Sequence, residues 1–251
     1  MSDARLRLER VTVRHARAAP LVQDLTLTLE PGEVLAILGP NGRGKSSLLR
    51  CMAGLCAPSA GRVERSGLAA WLPQGPGAPF AFEARLVAVM GRLTRRGLLA
   101  TPDEPDWIAA DAALARLGIA HLAHRPVTEL SGGERQLVWL ARALAAEASL
   151  WLLDEPSAPL DLRNQVRLLA LLREVAQERR ALVVFTTHDP EHAREVGDRV
   201  LLLLGDGRHL EGRPVDTLTA ENLRELYGVP FRRVVADDGE TLLIPCFEVA
   251  R

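Results

Sequence analysis

The sequence contains almost no lysine. Of its 31 basic side chains only Lys45 is a lysine, and every other one is an arginine. Lysine carries a compact ammonium on a flexible stem, whereas arginine carries a wider planar fork whose N–H groups have fixed directions. A chain that uses arginine everywhere else and keeps lysine at one position indicates that this position requires the ammonium.

Long apolar runs, unbalanced charge and cysteine frameworks are also missing. No stretch approaches the roughly 20 apolar residues that cross a bilayer, and residues 1–7 lack the apolar core of a signal peptide. The net charge is −1 without a basic run, which argues against a nucleic-acid partner. Three cysteines without metal-ligand spacing, Cys51, Cys56 and Cys246, are interpreted as structural thiols. These features predict a protein of the cytoplasm.

The single lysine lies in a glycine-rich loop with the spacing G-x-x-x-x-G-K-[ST]. An apolar strand pattern over residues 33–38 precedes the loop, and a helix-compatible pattern over residues 47–53 follows it. In such a loop backbone N–H groups surround the α- and β-phosphates, the lysine reaches the β- and γ-phosphates, and the Ser46 hydroxyl joins the Mg²⁺ shell. The alternative is a chance glycine-rich turn, but the order strand, loop, helix favours a site for a nucleoside triphosphate.

Strand and helix patterns alternate along most of the chain. Over residues 25–30 apolar and polar side chains alternate, which is typical of a strand, and a second such pattern precedes it. Residues 83–130 carry helical patterns without a strand-like run, and residues 131–204 alternate between helix and strand.

This order of elements predicts an α/β fold with a mostly parallel sheet and right-handed crossovers. The N-terminal β segment is expected to be antiparallel, and the helical stretch at about 83–130 to be an insertion in the core. We expect one domain over residues 1–228 and a short tail over residues 229–251, with a strand at Thr241–Ile244.

Two adjacent carboxylates end one of the apolar strand patterns. Asp154 and Glu155 follow Leu150–Leu153 and precede Pro156. Because successive strand residues face opposite sides, one carboxylate can hold Mg²⁺ while the other orients or deprotonates a water. The alternative is a strand that ends in a polar turn before proline, but the phosphate loop upstream favours the catalytic interpretation.

A second helix start has unusual glycines. Ser131 and Glu134 have the spacing of a capping box, which is the simplest explanation of this stretch. Gly132 and Gly133, however, are unfavourable in a first helical turn. They are useful where a ligand approaches the backbone closely, so the sequence predicts a second anion site at this helix N-terminus.

Taken together and in order, these motifs resemble those of the nucleotide-binding subunit of an ABC transporter, and the resemblance covers roughly residues 5–228. The matching elements are the loop 39–47, Gln74 after a strand, LSGGERQ at 130–136, LLDEP at 152–156, the segment ending at Asp161, and Thr187-His188 after an apolar strand. The resemblance implies an ABC ATPase with a P-loop NTPase core that uses ATP and Mg²⁺.

The resemblance also implies a role for each matching residue. Glu155 would be the general base or water-polarising residue, and His188 would contact the γ-phosphate. Mg²⁺ would be surrounded by Ser46, Gln74 and Asp154. The nucleotide-binding residues would be His15, Gly39, Pro40, Asn41, Gly42, Arg43, Gly44, Lys45, Ser46, Ser47, Gln74, Ser131, Gly132, Gly133, Gln136 and Asp161. Among these, Ser131, Gly132 and Gly133 would cap ATP bound to a second copy of the chain, and Asp161 would lie at the dimer seam.

The chain departs from the family pattern at three positions. His15 stands where the family usually has an aromatic residue that stacks on adenine, and imidazole can also stack. Arg43 replaces a small residue, and its side chain is expected to point to solvent. Pro159 stands where His or Ala is more usual and would stiffen the dimer-contact loop.

The resemblance implies partners as well. A head-to-tail dimer would dock on integral-membrane permease subunits through residues 75–96, at the cytoplasmic face of the membrane, and would serve a periplasmic or surface substrate-binding protein indirectly. Stretches such as Val87-Ala-Val-Met-Gly-Arg92 and Leu218–Gly228 resemble importers of metal chelates: iron-siderophore, haem, cobalamin, or molybdate and tungstate. The alternative is a soluble ABC ATPase, which would act as a cofactor-assembly scaffold or a mechanochemical factor.

Overall fold

The computed structural model describes residues 5–14, 18–75, 80–93, 101–235, 237, 239 and 241–246. Its strands are β1 (Leu6–Val13), β2 (Val22–Leu29), β3 (Val34–Leu38), β4 (Ala60–Arg65), β5 (Ala69–Leu72), β6 (Leu150–Leu153), β7 (Leu182–Thr187), β8 (Arg199–Gly205), β9 (Arg208–Gly212), β10 (Phe231–Val235) and β11 (Thr241–Pro245). Its helices are α1 (Lys45–Met52), α2 (Ala84–Leu93), α3 (Glu104–Arg116), α4 (Gly132–Ala145), α5 (Leu162–Arg179), α6 (Pro190–Val196), α7 (Pro214–Thr217) and α8 (Ala220–Tyr227).

The central sheet has the strand order β5-β6-β7-β3-β8-β9 and is parallel except for the pair β8–β9. The predicted α/β class with a mostly parallel sheet is therefore confirmed. Parallel strands end at the same edge of a sheet, so the carboxyl ends of β3, β5, β6 and β7 all lie at one edge. The candidate functional residues follow these four strands.

The central sheet is buried on both faces. Along β3, Val34, Ala36 and Leu38 belong to a core that contains the helices α2 to α6. Leu35 and Ile37 face a second core, which contains α1 and the antiparallel sheet. This is why the strand reads as an uninterrupted apolar run, as strands of covered parallel sheets do.

The N-terminal antiparallel sheet has the order β2-β1-β4 and confirms the expected β segment. Four apolar residues of β1 are all buried: Leu6, Leu8, Val11 and Val13. Val11 lies three positions after Leu8, not two, so a regular strand would place the two pairs on opposite faces. The pairing with β2 shifts register between Leu8 and Val11, and Arg10 between them adopts φ 44°. A bulge with one extra residue returns the apolar side chains to the same face.

The helices α2 and α3 lie in the stretch that was predicted as a helical insertion. Both pack on α4, which follows that stretch. Asp103 caps α3 by accepting from the backbone N–H of Asp106, whose side chain accepts from the N–H of Asp103 in return. Where α2 crosses α4, a Cβ at Gly91 would collide with the carbonyl oxygen of Arg142. Glycine therefore permits close backbone contact between these two helices.

Three strands, β4, β9 and β10, were not predicted from the sequence. β9 pairs with β8 at the edge of the central sheet, and its residues are exposed or half-buried. β4 pairs with β1, yet only Val63 of its residues packs against the core, so its sequence lacks the alternation of a half-buried strand. β10 pairs with β11, which contains the expected Thr241–Ile244 strand, and its central residues are exposed. All three strands are held mainly by main-chain pairing, which hydrophobic periodicity does not report.

Candidate functional site

The phosphate loop connects β3 to α1, as the strand–loop–helix pattern predicts. Gly44 occupies the position before α1 with φ 94°, a conformation that side-chain-bearing residues rarely adopt. A Cβ there would also lie 2.8 Å from Cβ of Leu21. No side chain caps this helix start. The first N–H groups of a helix have no intrahelical partners, so this loop can bind an anion.

Lys45 is buried, with 5% of its side chain exposed. Its Nζ donates to the carbonyl oxygen of Gly39 at 2.6 Å and lies 3.3 Å from Oε1 of Glu155. The ammonium thus bridges the loop and the carboxylate that follows β6. A buried charge of this kind is stable only with an opposite charge and hydrogen-bond acceptors, and Lys45 has both.

Glu155 connects three elements. Its Oε2 accepts a hydrogen bond from Nε2 of Gln74 at 2.9 Å, and its Oε1 faces Lys45. The backbone of Glu155 adopts φ 47°, which is uncommon for a residue other than glycine and costs of order 1 kcal/mol. Such outliers concentrate at functional sites, where the surrounding contacts hold them in place.

The hydroxyl of Thr186 orients the carboxylate of Asp154. Thr186 was not singled out from the sequence. The Thr186 hydroxyl donates to Oδ1 of Asp154 at 2.7 Å and accepts from the backbone N–H of Glu155 at 2.8 Å. Thr186 is completely buried near the end of β7. A hydroxyl near the end of an otherwise apolar strand was the available signal, but its partners become visible only when β6 and β7 are paired.

A pocket of about 210 Å³ lies over the phosphate loop. It is lined by Pro40, Asn41, Gly42, Gly44, Lys45, Ser46, Ser47, Gln74 and Glu155. The structure thus brings most of the predicted phosphate-loop residues together with Gln74 and Glu155, although these are far apart in sequence. The polar lining, with one ammonium and a bare helix N-terminus, suits phosphate groups.

Ser131 is the N-cap residue just before α4, and it does not line this pocket. Its Oγ accepts from the backbone N–H of Glu134, and the Glu134 carboxylate accepts from the N–H of Ser131, so the capping box is present. The hydrogen bond from the Ser131 backbone N–H lowers the pKa of Glu134. The capping box engages the N–H groups of Ser131 and Glu134. Gly132 and Gly133 occupy the first turn of α4, where backbone N–H groups have no intrahelical partners. Ser131 itself is exposed.

The loop after Glu155 packs against the start of α4. A Cβ on Gly133 would lie 2.9 Å from the carbonyl oxygen of Pro159, which gives this glycine a packing reason. Asp161 is exposed and caps α5 by accepting from the N–H of Asn164 at 2.8 Å. Gln136 is buried, and its amide Nε2 donates to the carbonyl oxygen of Pro156 at 3.2 Å. Its side chain therefore braces this loop and does not line the pocket.

Three other residues singled out in the sequence have distinct positions. His188 follows β7 and is exposed, and its carbonyl oxygen accepts from the Tyr227 hydroxyl at 2.8 Å. Arg43 does not extend freely into solvent as expected: the residue is half-buried, and its guanidinium lies where a Cβ on Gly205 would stand. A side chain on Gly205 would occupy the same space. His15 lies outside the described residues.

Among the described helices, none is both long and apolar enough to span a membrane.

The sheet order, the phosphate loop and the paired carboxylates define an ATP-binding protein with a P-loop core. The family model of the ABC transporter matches residues 22–158, more than half of the chain. The chain belongs to this family, and it is an ATPase.

Two relatives extend the comparison beyond the shared motifs. The chain is 41% identical over 210 residues to the molybdate import ATP-binding protein MolC of Haemophilus influenzae, covering 84% of this chain and 83% of the relative. It is 33% identical over 263 residues to the ferric enterobactin transport ATP-binding protein FepC of Escherichia coli, covering 97% and 95%.

Solved structures agree with these sequence relatives. A metal-chelate type ABC transporter in an inward-facing conformation matches with a TM-score of 0.89 at 36% identity, covering 98% of this chain and 99% of that one. A dimeric ATP-binding cassette in a post-hydrolysis state, bound to ADP and Pi, matches with a TM-score of 0.74 at 26% identity, covering 83% and 98%.

Proposed function

We propose that this chain is the ATP-hydrolysing subunit of an importer for molybdate or a related oxyanion, or for a metal chelate such as a siderophore complex, haem or cobalamin. The observation that carries the ATPase part is the contact of Lys45 and Gln74 with Glu155 over the phosphate loop. The import part is supported by the relatives, which are import or transport ATP-binding proteins. We assign this function to residues 1–228, with residues 229–251 as a tail.

In this proposal the phosphates of ATP lie on the loop that begins α1, and Lys45 neutralises the β- and γ-phosphates. In the structure the Lys45 ammonium contacts the carbonyl oxygen of Gly39 and the carboxylate of Glu155. Nucleotide binding therefore exchanges these contacts for phosphate oxygens. This exchange releases the Glu155 carboxylate from its ion pair with Lys45 when ATP binds.

The donor set beside the loop suits Mg²⁺, because Ser46, Gln74 and Asp154 offer hydroxyl, amide and carboxylate oxygens, the hard ligands that this ion prefers. Thr186 fixes the orientation of the Asp154 carboxylate through Oδ1, as outer hydrogen bonds do around metal ligands. When bound, the ion would neutralise charge on the β- and γ-phosphate oxygens.

Glu155 is the proposed general base. Its carboxylate borders the pocket, and Gln74 holds one of its oxygens at 2.9 Å. Once Lys45 has moved to the phosphates, the other oxygen can accept a proton from the attacking water. The exposed His188 follows β7 at the same edge of the sheet, and we assign it to the γ-phosphate.

We further propose that the second anion site acts in trans. Ser131 is exposed and does not line the pocket that contains Lys45. In a head-to-tail dimer with two-fold symmetry, Ser131, Gly132 and Gly133 of one copy would cover ATP on the other, with Asp161 at the seam. A structural relative that is a dimeric cassette supports this arrangement.

Mixing two defective variants tests the composite site. A Lys45→Ala chain and a Ser131→Arg chain are each expected to be inactive, whereas a mixed dimer contains one intact site. The ATPase rate is measured against the mixing ratio in the presence of the permease subunits. We expect a maximum near equal amounts, and a rate that stays flat at every ratio would refute hydrolysis at a single composite site.

The proposed partners are integral-membrane permease subunits at the cytoplasmic face of the membrane and, through them, a substrate-binding protein. Uptake of labelled molybdate, haem, cobalamin or ferric siderophore into vesicles that contain the reconstituted complex tests the import function. ATP-dependent uptake of one of these compounds is the expected result. A chain that hydrolyses ATP but never associates with membranes would instead support a soluble ATPase.

A further inference from the structure

Two of the three cysteines lie in contact at the C-terminal end of α1. The Sγ atoms of Cys51 and Cys56 are 3.2 Å apart, and both residues are free thiols. Cys51 belongs to α1, the helix that begins at the phosphate loop, and Cys56 follows that helix. A disulfide joins its sulfurs at about 2.05 Å, so closure of this pair requires the two atoms to approach by only about 1 Å.

The turn that ends α1 brings the two thiols together. Gly54 adopts φ 72°, the left-handed conformation that commonly follows a helix. The backbone N–H of Leu55 donates to the carbonyl oxygen of Arg50 at 2.9 Å. This turn reverses the chain, so Cys56 folds back beside α1, and its Sγ lies 4.0 Å from the carbonyl oxygen of Ser47. The backbone itself therefore places the second thiol against the helix.

The two thiols differ in their access to solvent. Cys51 is buried, with 2% of its surface exposed, whereas Cys56 is exposed. Burial and the hydrogen bond with the Cys56 thiol raise the pKa of Cys51 to about 12, so Cys51 stays protonated near neutral pH. An oxidant in solution therefore reaches Cys56 first. An accessible thiol beside a second, resolving thiol is typical of reversible cysteine oxidation.

We propose that Cys51 and Cys56 form a reversible modification site, at which a hydroperoxide oxidises the exposed Cys56 thiol and Cys51 then closes an intrachain disulfide. Disulfides inside cells are usually transient and serve catalysis or redox sensing, which fits a pair that the structure shows as free thiols in contact. The site does not depend on the importer function, and neither cysteine lines the nucleotide pocket.

The oxidation proceeds in two balanced steps. The Cys56 sulfur attacks one oxygen of hydrogen peroxide, the O–O bond breaks, and the departing hydroxide takes the thiol proton and leaves as water. The Cys51 sulfur then attacks the sulfur of the Cys56 sulfenic acid. The S–O bond breaks, and the hydroxide leaves with the Cys51 proton as a second water. The pair of thiols loses two electrons, which reduce the peroxide, and a reducing thiol such as dithiothreitol returns them.

The disulfide protects Cys56 from further oxidation. A sulfenic acid that finds no thiol proceeds to sulfinic acid, which ordinary thiol reductants do not reverse. At Cys56 this product would place a permanent negative charge beside the backbone of Ser47, which lines the nucleotide pocket. Closure with Cys51 avoids that charge next to a site for anionic phosphates.

Mass spectrometry of the full chain in a Cys246→Ser background tests the site. This substitution removes the third cysteine, whose Sγ accepts from Nε of Arg232. No Lys or Arg lies between Cys51 and Cys56, so trypsin leaves both cysteines in one peptide, residues 51–62. After treatment with hydrogen peroxide we expect this peptide to lose two hydrogen atoms and to bind no N-ethylmaleimide. Dithiothreitol should restore both reactive thiols.

Two variants separate the roles of the pair. In Cys51→Ala the exposed thiol lacks its partner, so dimedone, which traps sulfenic acid, should label Cys56 at least about tenfold more than in the intact pair. Sulfinic acid that resists dithiothreitol should also accumulate in this variant. In Cys56→Ser the buried Cys51 should remain a thiol at the same peroxide dose. The melting temperature verifies folding, and Cys51→Ser is a second variant with a closer shape at the buried position.

Two outcomes would overturn the proposal. In the first, peroxide converts Cys56 into sulfinic acid, or into a disulfide between two chains, as readily in the intact pair as in Cys51→Ala. In the second, both thiols of the folded chain stay reactive at a peroxide dose that fully oxidises N-acetylcysteine in a parallel sample. Neither outcome affects the ATPase activity or the proposed importer function, because both are measured without oxidant.

Discussion

Replacement of Glu155 by Gln should separate ATP binding from ATP hydrolysis. The substitution keeps the size of the side chain, and Gln tolerates φ 47° about as well as Glu does. The amide can still accept from Lys45 and exchange a hydrogen bond with Gln74. We therefore expect a small change in the free energy of unfolding, of about 1 kcal/mol.

The expected effect on ATP affinity follows from the ion pair. The 3.3 Å separation between Lys45 Nζ and Glu155 Oε1 corresponds to about 5 kcal/mol of Coulomb attraction at an effective dielectric constant of about 20. Desolvation of the two buried groups offsets most of it. Loss of a net attraction of about 1 kcal/mol makes Lys45 easier to transfer to phosphate, so ATP should bind with equal affinity or up to about fivefold tighter.

The expected effect on hydrolysis is opposite and larger. An amide cannot accept the proton of the attacking water, and loss of a general base typically lowers the rate by about 10² to 10⁴. This corresponds to about 2.7–5.4 kcal/mol in the activation barrier. ATP should therefore stay bound, and the variant should accumulate as an ATP-bound dimer.

Phosphate release under single-turnover conditions measures hydrolysis, titration with a fluorescent ATP analogue measures affinity, and light scattering measures the dimer. Glu195→Gln is the control, because Glu195 is an exposed residue of α6 that pairs with Arg194. Hydrolysis by Glu155→Gln within tenfold of the wild-type rate would refute the role of Glu155 as the base. ATP affinity that falls as steeply as the rate would show that Glu155 acts mainly in binding.

Three further predictions concern single side chains. Lys45→Arg should lower ATP turnover by at least about 10², since the wider guanidinium replaces a buried, precisely placed ammonium. Gly133→Ala should lower the melting temperature, because its Cβ would lie 2.9 Å from the carbonyl oxygen of Pro159. Iodoacetamide at pH 8 should label the exposed Cys56 well before Cys51, because burial and the neighbouring Cys56 thiol raise the pKa of Cys51 to about 12.

Each of these has a clear contradicting result. Near wild-type turnover of Lys45→Arg would mean that the position does not require the ammonium. Gly132→Ala is the control for Gly133, since its Cβ would come no closer than 3.9 Å to Pro159; equal melting temperatures of the two variants would remove the packing argument. Equal labelling rates of Cys51 and Cys56 would show that the Cys51 thiol is accessible.

Much of the fold followed from local patterns. Strands buried on both faces, such as β3 and β7, read as short apolar runs, and the intervening helices have their own periodicity. The strands β4, β9 and β10 were missed because none of their side chains is fully buried. Periodicity records burial, so an exposed strand that is held by main-chain pairing leaves little trace in the sequence.

By itself, the sequence determined the phosphate loop, the carboxylates after β6 and the glycines at the start of α4, because each is a contiguous motif with its own local geometry. Only the tertiary structure decided that Glu155 bridges Lys45 and Gln74, and that Thr186 holds Asp154. These contacts join residues from different strands and helices, and the order of strands in the sheet, which sets those distances, is not encoded in any single segment.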